Sequence, residues 1–319
     1  MESIGNGWMW AGFALFVVIA CAVDLLLLEK KGAARVTPGQ ALRWSALWVG
    51  LALVFNALLW WYLDGNAGRE LANQKAAEFF TGYLIEKSLA VDNIFVFLML
   101  FTYFAVPPEL QKRVLILGVI GAIVLRAVMI LIGAWLIKEF HWILYLFGAF
   151  LLVTGIKMLL FAEASSDLEK NPILKWMRKH LKLTPGFEGE KFWITQNGVR
   201  FYTPLFVVMI LIGITDVVFA VDSIPAIFAI TEDPFIVMTS NIFAILGLRA
   251  MYFLLADLKD RFHLLTYGLG VILVFVGTKM LIVDWYKIPV GWSLGIVGTI
   301  LAVSMVASLI KKPSATPSN

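Results

Sequence analysis

The chain has 319 residues, 61% of them hydrophobic and 15% charged, with a mean hydropathy of +0.86 and a formal net charge of +4 at pH 7. Soluble domains average about 45–50% apolar and about 25% charged residues, so this composition excludes one. Cys21 is the single cysteine, which excludes an internal disulfide and a thiolate cluster. The apolar runs are continuous rather than alternating, which predicts an all-α polytopic membrane helix bundle and not a β-barrel. By the length needed to cross a bilayer, about 20 residues, spans are expected at 8–28, 44–63, 79–104, 114–137, 142–161, 203–231, 235–256, 264–283 and 289–310. The N-terminal MESIGNGWMW lacks a basic n-region and LLLLEKK follows the first run, so the first span is expected to be retained. With the N-terminus outside, 17 Lys and Arg fall on cytoplasmic segments and four outside (Arg69, Lys75, Lys138, Lys287), which predicts N-outside and C-inside. Trp8, Trp10, Trp60, Trp61, Tyr62, Trp142, Trp285 and Tyr286 stand near span ends, where interface aromatics belong.

The expected organisation is one transmembrane domain over 1–310, with a first repeat at 79–161, a cytoplasmic loop at 162–202, a second repeat at 203–283, and a cytoplasmic tail at 311–319. The loop has its own local structure. NPILKWMRKHLKL offers Asn171 as N-cap and Pro172 as first helical residue. Ile173, Leu174, Trp176, Met177 and Leu181 interleave with basic residues, which suits an interfacial helix held by anionic lipid or a docking site for a soluble partner. FWITQNGVRFY reads as a hairpin with an Asn-Gly turn. The histidines, His141, His180 and His263, all fall in predicted loops.

The repeat is carried by charge. LAVDNIFVF aligns with FAVDSIPAIF, matching Asp92 with Asp222, and six residues before each stands another acid, Glu86 or Asp216. Downstream, AIVLRAVM matches AILGLRAMY, pairing Arg126 with Arg249, and GIKMLL matches GTKMLI, pairing Lys157 with Lys279. Three landmarks in order across two three-span segments predict a duplication. An odd number of spans per copy makes the second copy enter from the opposite side, so spans three to five and six to eight form an inverted pair. Inverted repeats with polar residues near the midplane are a transporter signature. Asp24, in CAVDLLL, adds a further Ala-Val-Asp in the first span.

Five acids (Asp24, Glu86, Asp92, Asp216, Asp222) and five bases (Lys87, Arg126, Lys157, Arg249, Lys279) lie inside the spans. Each costs about 2.5–3.5 kcal/mol at a helix centre, so it must pair, face water or bind something. Arg126 and Arg249 are expected beside carboxylates, pairing with them or gating the site. Lys157 and Lys279 are expected to snorkel to the interface, and Lys87 to pair with an acid other than its neighbour Glu86. The acids carry the sharper expectation. Pro225, close to Asp222, frees the Val221 carbonyl, and Asn93, Ser223, Thr239, Ser240 and Asn241 add neutral oxygens. Hard oxygen donors without thiolate or imidazole suit Mg²⁺, Ca²⁺ or Mn²⁺. Four carboxylates over-neutralise one such ion, so proton exchange would accompany its movement. Purely structural pairing, and proton or monovalent-cation handling, are the alternatives. There is no HExxH and no Gly-x-Ser-x-Gly, so an enzyme is not expected, nor a cofactor or a nucleic-acid partner.

GYLIEKSLAVDN, TDVVFAVDSIPAIFA and TSNIFAILGLRAMYF resemble the most characteristic segments of the TerC family of integral membrane proteins, its Alx-type members above all. The likeness runs over residues 8–310. It implies a bacterial inner-membrane location and a link to manganese homeostasis, with Mn²⁺ export as the favoured activity; the older family label concerns tellurium resistance. The site residues it implies are Glu86, Asp92, Asp216 and Asp222, joined by Asn93 and Asp24. Manganese comes from the resemblance; the residues by themselves stop at a hard divalent cation. The expectation is therefore a Mn²⁺ exporter working by cation/proton exchange, with a membrane scaffold docking a partner through 162–202 as the rival.

Overall fold

The computed structural model describes residues 3–29, 38–140, 142–160, 172–256, 264–286 and 288–310, without the side chains of 24–29, 38, 91, 92, 95, 222, 255, 256, 265, 266 and 290. The expected N-cap Asn171, His141, His263 and the tail 311–319 lie outside the described residues. The chain forms α1 (Gly7–Glu29), α2 (Pro38–Ala67), α3 (Arg69–Tyr103), α4 (Pro108–Glu139), α5 (Ile143–Leu160) and α6 (Pro172–His180). A hairpin of β1 (Trp193–Gln196) and β2 (Val199–Tyr202) follows. Then come α7 (Pro204–Phe228), α8 (Pro234–Ile245), α9 (Leu248–Ala256), α10 (Leu265–Leu281) and α11 (Val290–Ile310). Prolines open α4, α7 and α8, where a missing N–H costs nothing because the first-turn amides have no helical acceptor.

The protein is an all-α polytopic membrane protein. Among the described residues, six helical stretches are long and apolar enough to cross a bilayer: Gly39–Ala67, Pro108–Glu139, Ile143–Leu160, Pro204–Phe228, Pro234–Leu254 and Gly291–Ile310. Gly7–Val23 and Tyr267–Leu281 are shorter apolar helices. The expected third span lies on α3, whose apolar half carries Glu86, Lys87 and Asp92. Such a charged helix must be surrounded by protein, and α3 packs against α2, α7, α8, α9 and α11. Burial sorts the rest: 89% of the apolar window in 234–254 is inside the molecule, against 22% for those of α2, α4 and α11. The outer helices turn Leu53, Leu58, Val124, Leu131, Val153 and Val306 outward, as lipid contact requires.

The span expected as one helix over 235–256 is two. α8 stops at Ile245, Leu246 turns to ψ 130°, and Gly247 takes φ +84° before α9 begins. Only glycine enters that region at no cost, and the indole of Trp48 lies 2.6 Å from where a Cβ on Gly247 would stand. Pro225 frees the Val221 carbonyl without ending the helix. α7 continues through it to Phe228.

α5 and α10 pack antiparallel through glycines. A Cβ on Gly148 would lie 3.0 Å from the Gly277 carbonyl oxygen, and one on Gly155 would lie 2.8 Å from that of Gly270. The backbones therefore touch, as small residues permit between membrane helices. Elsewhere an aromatic cluster joins α1, α2, α3 and α8, with Phe55 at 4.8 Å from Phe243 and 5.2 Å from Phe79, and Trp10 at 5.1 Å from Phe235.

The 172–202 segment docks on the bundle. The hairpin forms with Asn197 and Gly198 both at positive φ, the turn that the Asn-Gly pair predicts. Leu174 and Met177 of α6 are buried, and Ile173 and Leu181 pack against the same core. The apolar face expected to meet lipid or a partner is thus mostly covered by the protein, leaving Trp176 exposed.

Candidate ion site around Arg126

Glu86 and Asn93 on α3 are seven residues apart, as are Asp216 and Ser223 on α7. Seven residues are two helical turns less about 20°, so each pair lies on one face. The two faces converge on Arg126 of α4, with Asn241 of α8 completing the ring. Arg126 Nη1 is in direct contact with Glu86 Oε1, and Nη2 stands 3.6 Å from Asp216 Oδ1. Nη1 also lies 3.5 Å from Ser223 Oγ and 3.5 Å from Asn241 Oδ1. Asn93, with its amide turned so that Oδ1 faces the guanidinium, accepts from Nη2 at 3.2 Å and donates to the Leu89 carbonyl at 3.3 Å.

All six residues are buried, with Glu86 and Asn241 at 0% exposure and Arg126 at 1%. Two carboxylates share one guanidinium, so the cluster carries a negative excess when both are ionised. Its hydrogen bonding is incomplete among the described residues: Asp216 Oδ2, Asn241 Nδ2 and Glu86 Oε2 have no hydrogen-bond partner there. Buried polar atoms without partners are uncommon in folded proteins. Among the described residues, no three His, Cys, Asp or Glu stand together as a preformed ligand set.

The remaining expected site residues are placed as follows. The backbones of Asp24, Asp92 and Asp222 belong to α1, α3 and α7, and their side chains lie outside the described ones. Arg249 is buried on α9. Lys87 does not pair with an acid among the described residues; its Nζ donates to the Ala244 carbonyl at 3.1 Å and the Leu246 carbonyl at 3.3 Å. One step along a helix rotates a side chain by about 100°, so Lys87 reaches the α8–α9 break while Glu86 faces Arg126. Lys157 is exposed, as snorkelling requires, but Lys279 is buried.

Lys279 instead lines a cavity of about 420 Å³ with Glu78, Lys75, Thr231, Asp233 and Tyr286. Sequence reading missed Glu78, which precedes the apolar run it was measured against. It is buried and accepts from Gln74 Nε2 at 2.8 Å, Lys75 Nζ at 2.8 Å and Thr231 Oγ1 at 2.6 Å. Asp233 caps α8 through the Phe235 amide at 3.0 Å and accepts from the Ile4 amide at 3.0 Å. Glu78 is eight residues before Glu86, about 12 Å along the same helix. Gly82 between them faces Ser240 Oγ, 3.0 Å from where its Cβ would be.

The sequence matches the model of the integral membrane protein TerC family over residues 71–316. It is 58% identical over 306 residues to a putative membrane-bound redox modulator, Alx, of Salmonella typhi, covering 96% of this chain and 95% of that one. The protein of the same name from Escherichia coli strain K12 is 57% identical over equal shares. An uncharacterized membrane protein of Myxococcus xanthus is 46% identical over 317 residues, covering 99% of this chain and 97% of that one. No solved structure matches the chain.

Proposed function

The chain belongs to the TerC family of integral membrane proteins, and from that premise we propose that it is a divalent-cation transporter of the bacterial inner membrane, exporting Mn²⁺ in exchange for protons. One observation carries the reading: Arg126 lies between Glu86 and Asp216 in a buried, incompletely bonded cluster drawn from four helices. A purely structural ion pair would satisfy its carboxylates. Here the guanidinium acts as an internal cation that holds the acids together when no ion is bound. A hard divalent ion takes its place among Glu86, Asp216, Asn93, Ser223 and Asn241, with Asp92, Asp222 and Asp24 as further ligands on the same helices or α1. Displacing a charge of +1 with one of +2, at carboxylates that can protonate, couples ion movement to protons.

The architecture for this reading is nine spans, N-terminus outside, with spans three to five and six to eight as inverted copies. The antiparallel α5–α10 contact supports it. Gly148 corresponds to Gly270 in the other copy and Gly155 to Gly277, and the close approaches pair Gly148 with Gly277 and Gly155 with Gly270. A two-fold axis exchanging the copies maps one contact onto the other. Alternating access then rocks one copy against the other around Arg126.

The relatives named as redox modulators suggest a redox consequence. In this chain it does not run through an internal dithiol, since Cys21 is the single cysteine of the sequence; moving a redox-active divalent ion would produce one. The test is Mn²⁺ flux into inverted vesicles under an imposed pH gradient, for wild type, Glu86→Gln, Asp92→Asn, Asp216→Asn and Asp222→Asn. Flux should follow the gradient in the wild type and vanish in the folded variants. Full flux in all four variants refutes the site. Absent wild-type flux, with loss of function on deleting ILKWMRKHLK, assigns the protein to scaffolding through its cytoplasmic loop.

A further inference from the structure

We propose that the ammonium of Lys87 is a tethered monovalent cation, occupying a carbonyl site at the α8–α9 break that accepts free Na⁺ or K⁺ once the ammonium is removed. The break creates the site. Leu246 at ψ 130° and Gly247 at φ +84° turn the chain out of the helix after Ile245. The last carbonyls of a helix lack intrahelical donors, and together they carry a partial negative charge of about half an electron. At the protein surface, water would satisfy them. Here Asn241 through Leu248 are all buried, so the carbonyls need a partner from inside the protein.

That partner is Lys87, donating to the Ala244 and Leu246 oxygens at 3.1 and 3.3 Å. The nearest acid in sequence, Glu86, is held by Arg126, so the ammonium serves the carbonyls. Interrupted membrane helices use this same combination of an unwound backbone and a half-helix C-terminus to coordinate Na⁺. An ammonium matches such a site in charge and in its preference for oxygen. It differs in being covalently held, so it cannot exchange with solvent ions. The inference stands apart from the divalent-ion reading, because it concerns different atoms on a different helix end.

The experiment uses purified full-length protein in detergent. Thermal unfolding is followed in choline chloride, NaCl and KCl at equal ionic strength, for wild type, Lys87→Ala and Lys87→Gln. The wild type should unfold alike in all three salts. Lys87→Ala should show a saturable rise of about 3 °C or more in Na⁺ or K⁺ over choline, as binding to the folded state alone requires. Lys87→Gln, whose amide can donate to the same carbonyls, should lose that response. The proposal is overturned if Lys87→Ala responds no more than wild type, if it fails to fold in every salt, or if Lys87→Gln responds equally.

Discussion

Replacing Arg126 with Met removes the cation and keeps most of the side-chain volume. At 3.6 Å, the Asp216 contact is worth roughly 4–5 kcal/mol of gross attraction with an effective dielectric constant of about 20. Glu86 is in contact with the same guanidinium. Burial of all three groups offsets much of this, so the informative quantity is the cost of leaving two carboxylates without a counter-charge, about 3–5 kcal/mol. In buffer with a metal chelator, Arg126→Met should lose about that much stability. Added Mn²⁺ should restore it more than it stabilises the wild type, because the vacated acids no longer have an internal competitor. At one hundred times its dissociation constant the ion contributes about 2.7 kcal/mol. The assay is chemical unfolding in detergent, with chelator or Mn²⁺, for Arg126→Met alone and combined with Glu86→Gln and Asp216→Asn. The combined variant should recover stability and lose the metal response. A loss below about 1 kcal/mol, or equal Mn²⁺ stabilisation of wild type and variant, refutes the reasoning.

Gly155→Ala should destabilise by about 1–3 kcal/mol, because the new methyl meets the Gly270 oxygen and the Val274 nitrogen, both 2.8 Å away and both backbone; Gly295→Ala, with nothing within 4 Å, is the control and should be neutral or stabilising. Gly247→Ala should cost about 2 kcal/mol or more, from its left-handed backbone and the Trp48 ring together. In a Trp48→Ala background only the backbone part should persist, which unfolding of the double variant measures. Glu78→Ala should cost about 1–3 kcal/mol by leaving Lys75, Gln74 and Thr231 without their acceptor, and Glu78→Gln should recover part of it.

Much of this molecule could be read without coordinates because a membrane leaves a sequence few choices. Lipid demands long apolar helices, and each apolar run expected to span carries at least one described helix. The hairpin was legible because Asn-Gly selects one turn, and the candidate site was legible in outline because a charge inside a span is too costly to be incidental. Composition determined the all-α class, and charge spacing named Glu86, Arg126 and Asp216 as candidates alongside Asp24, Lys87, Asp92, Asp222 and Arg249. The tertiary structure decided their relations. Glu86 and Asp216 are 130 residues apart, and no local rule says that one guanidinium serves both. Among the described residues Lys87 meets, in place of the expected acid, the carbonyls of a break that a single glycine hardly announces in the sequence. Lys279, expected at the interface, and Glu78, which the sequence reading missed, line one cavity. Periodicity and solvation cost act on one helix at a time, whereas the partner of a buried charge depends on which helices pack together.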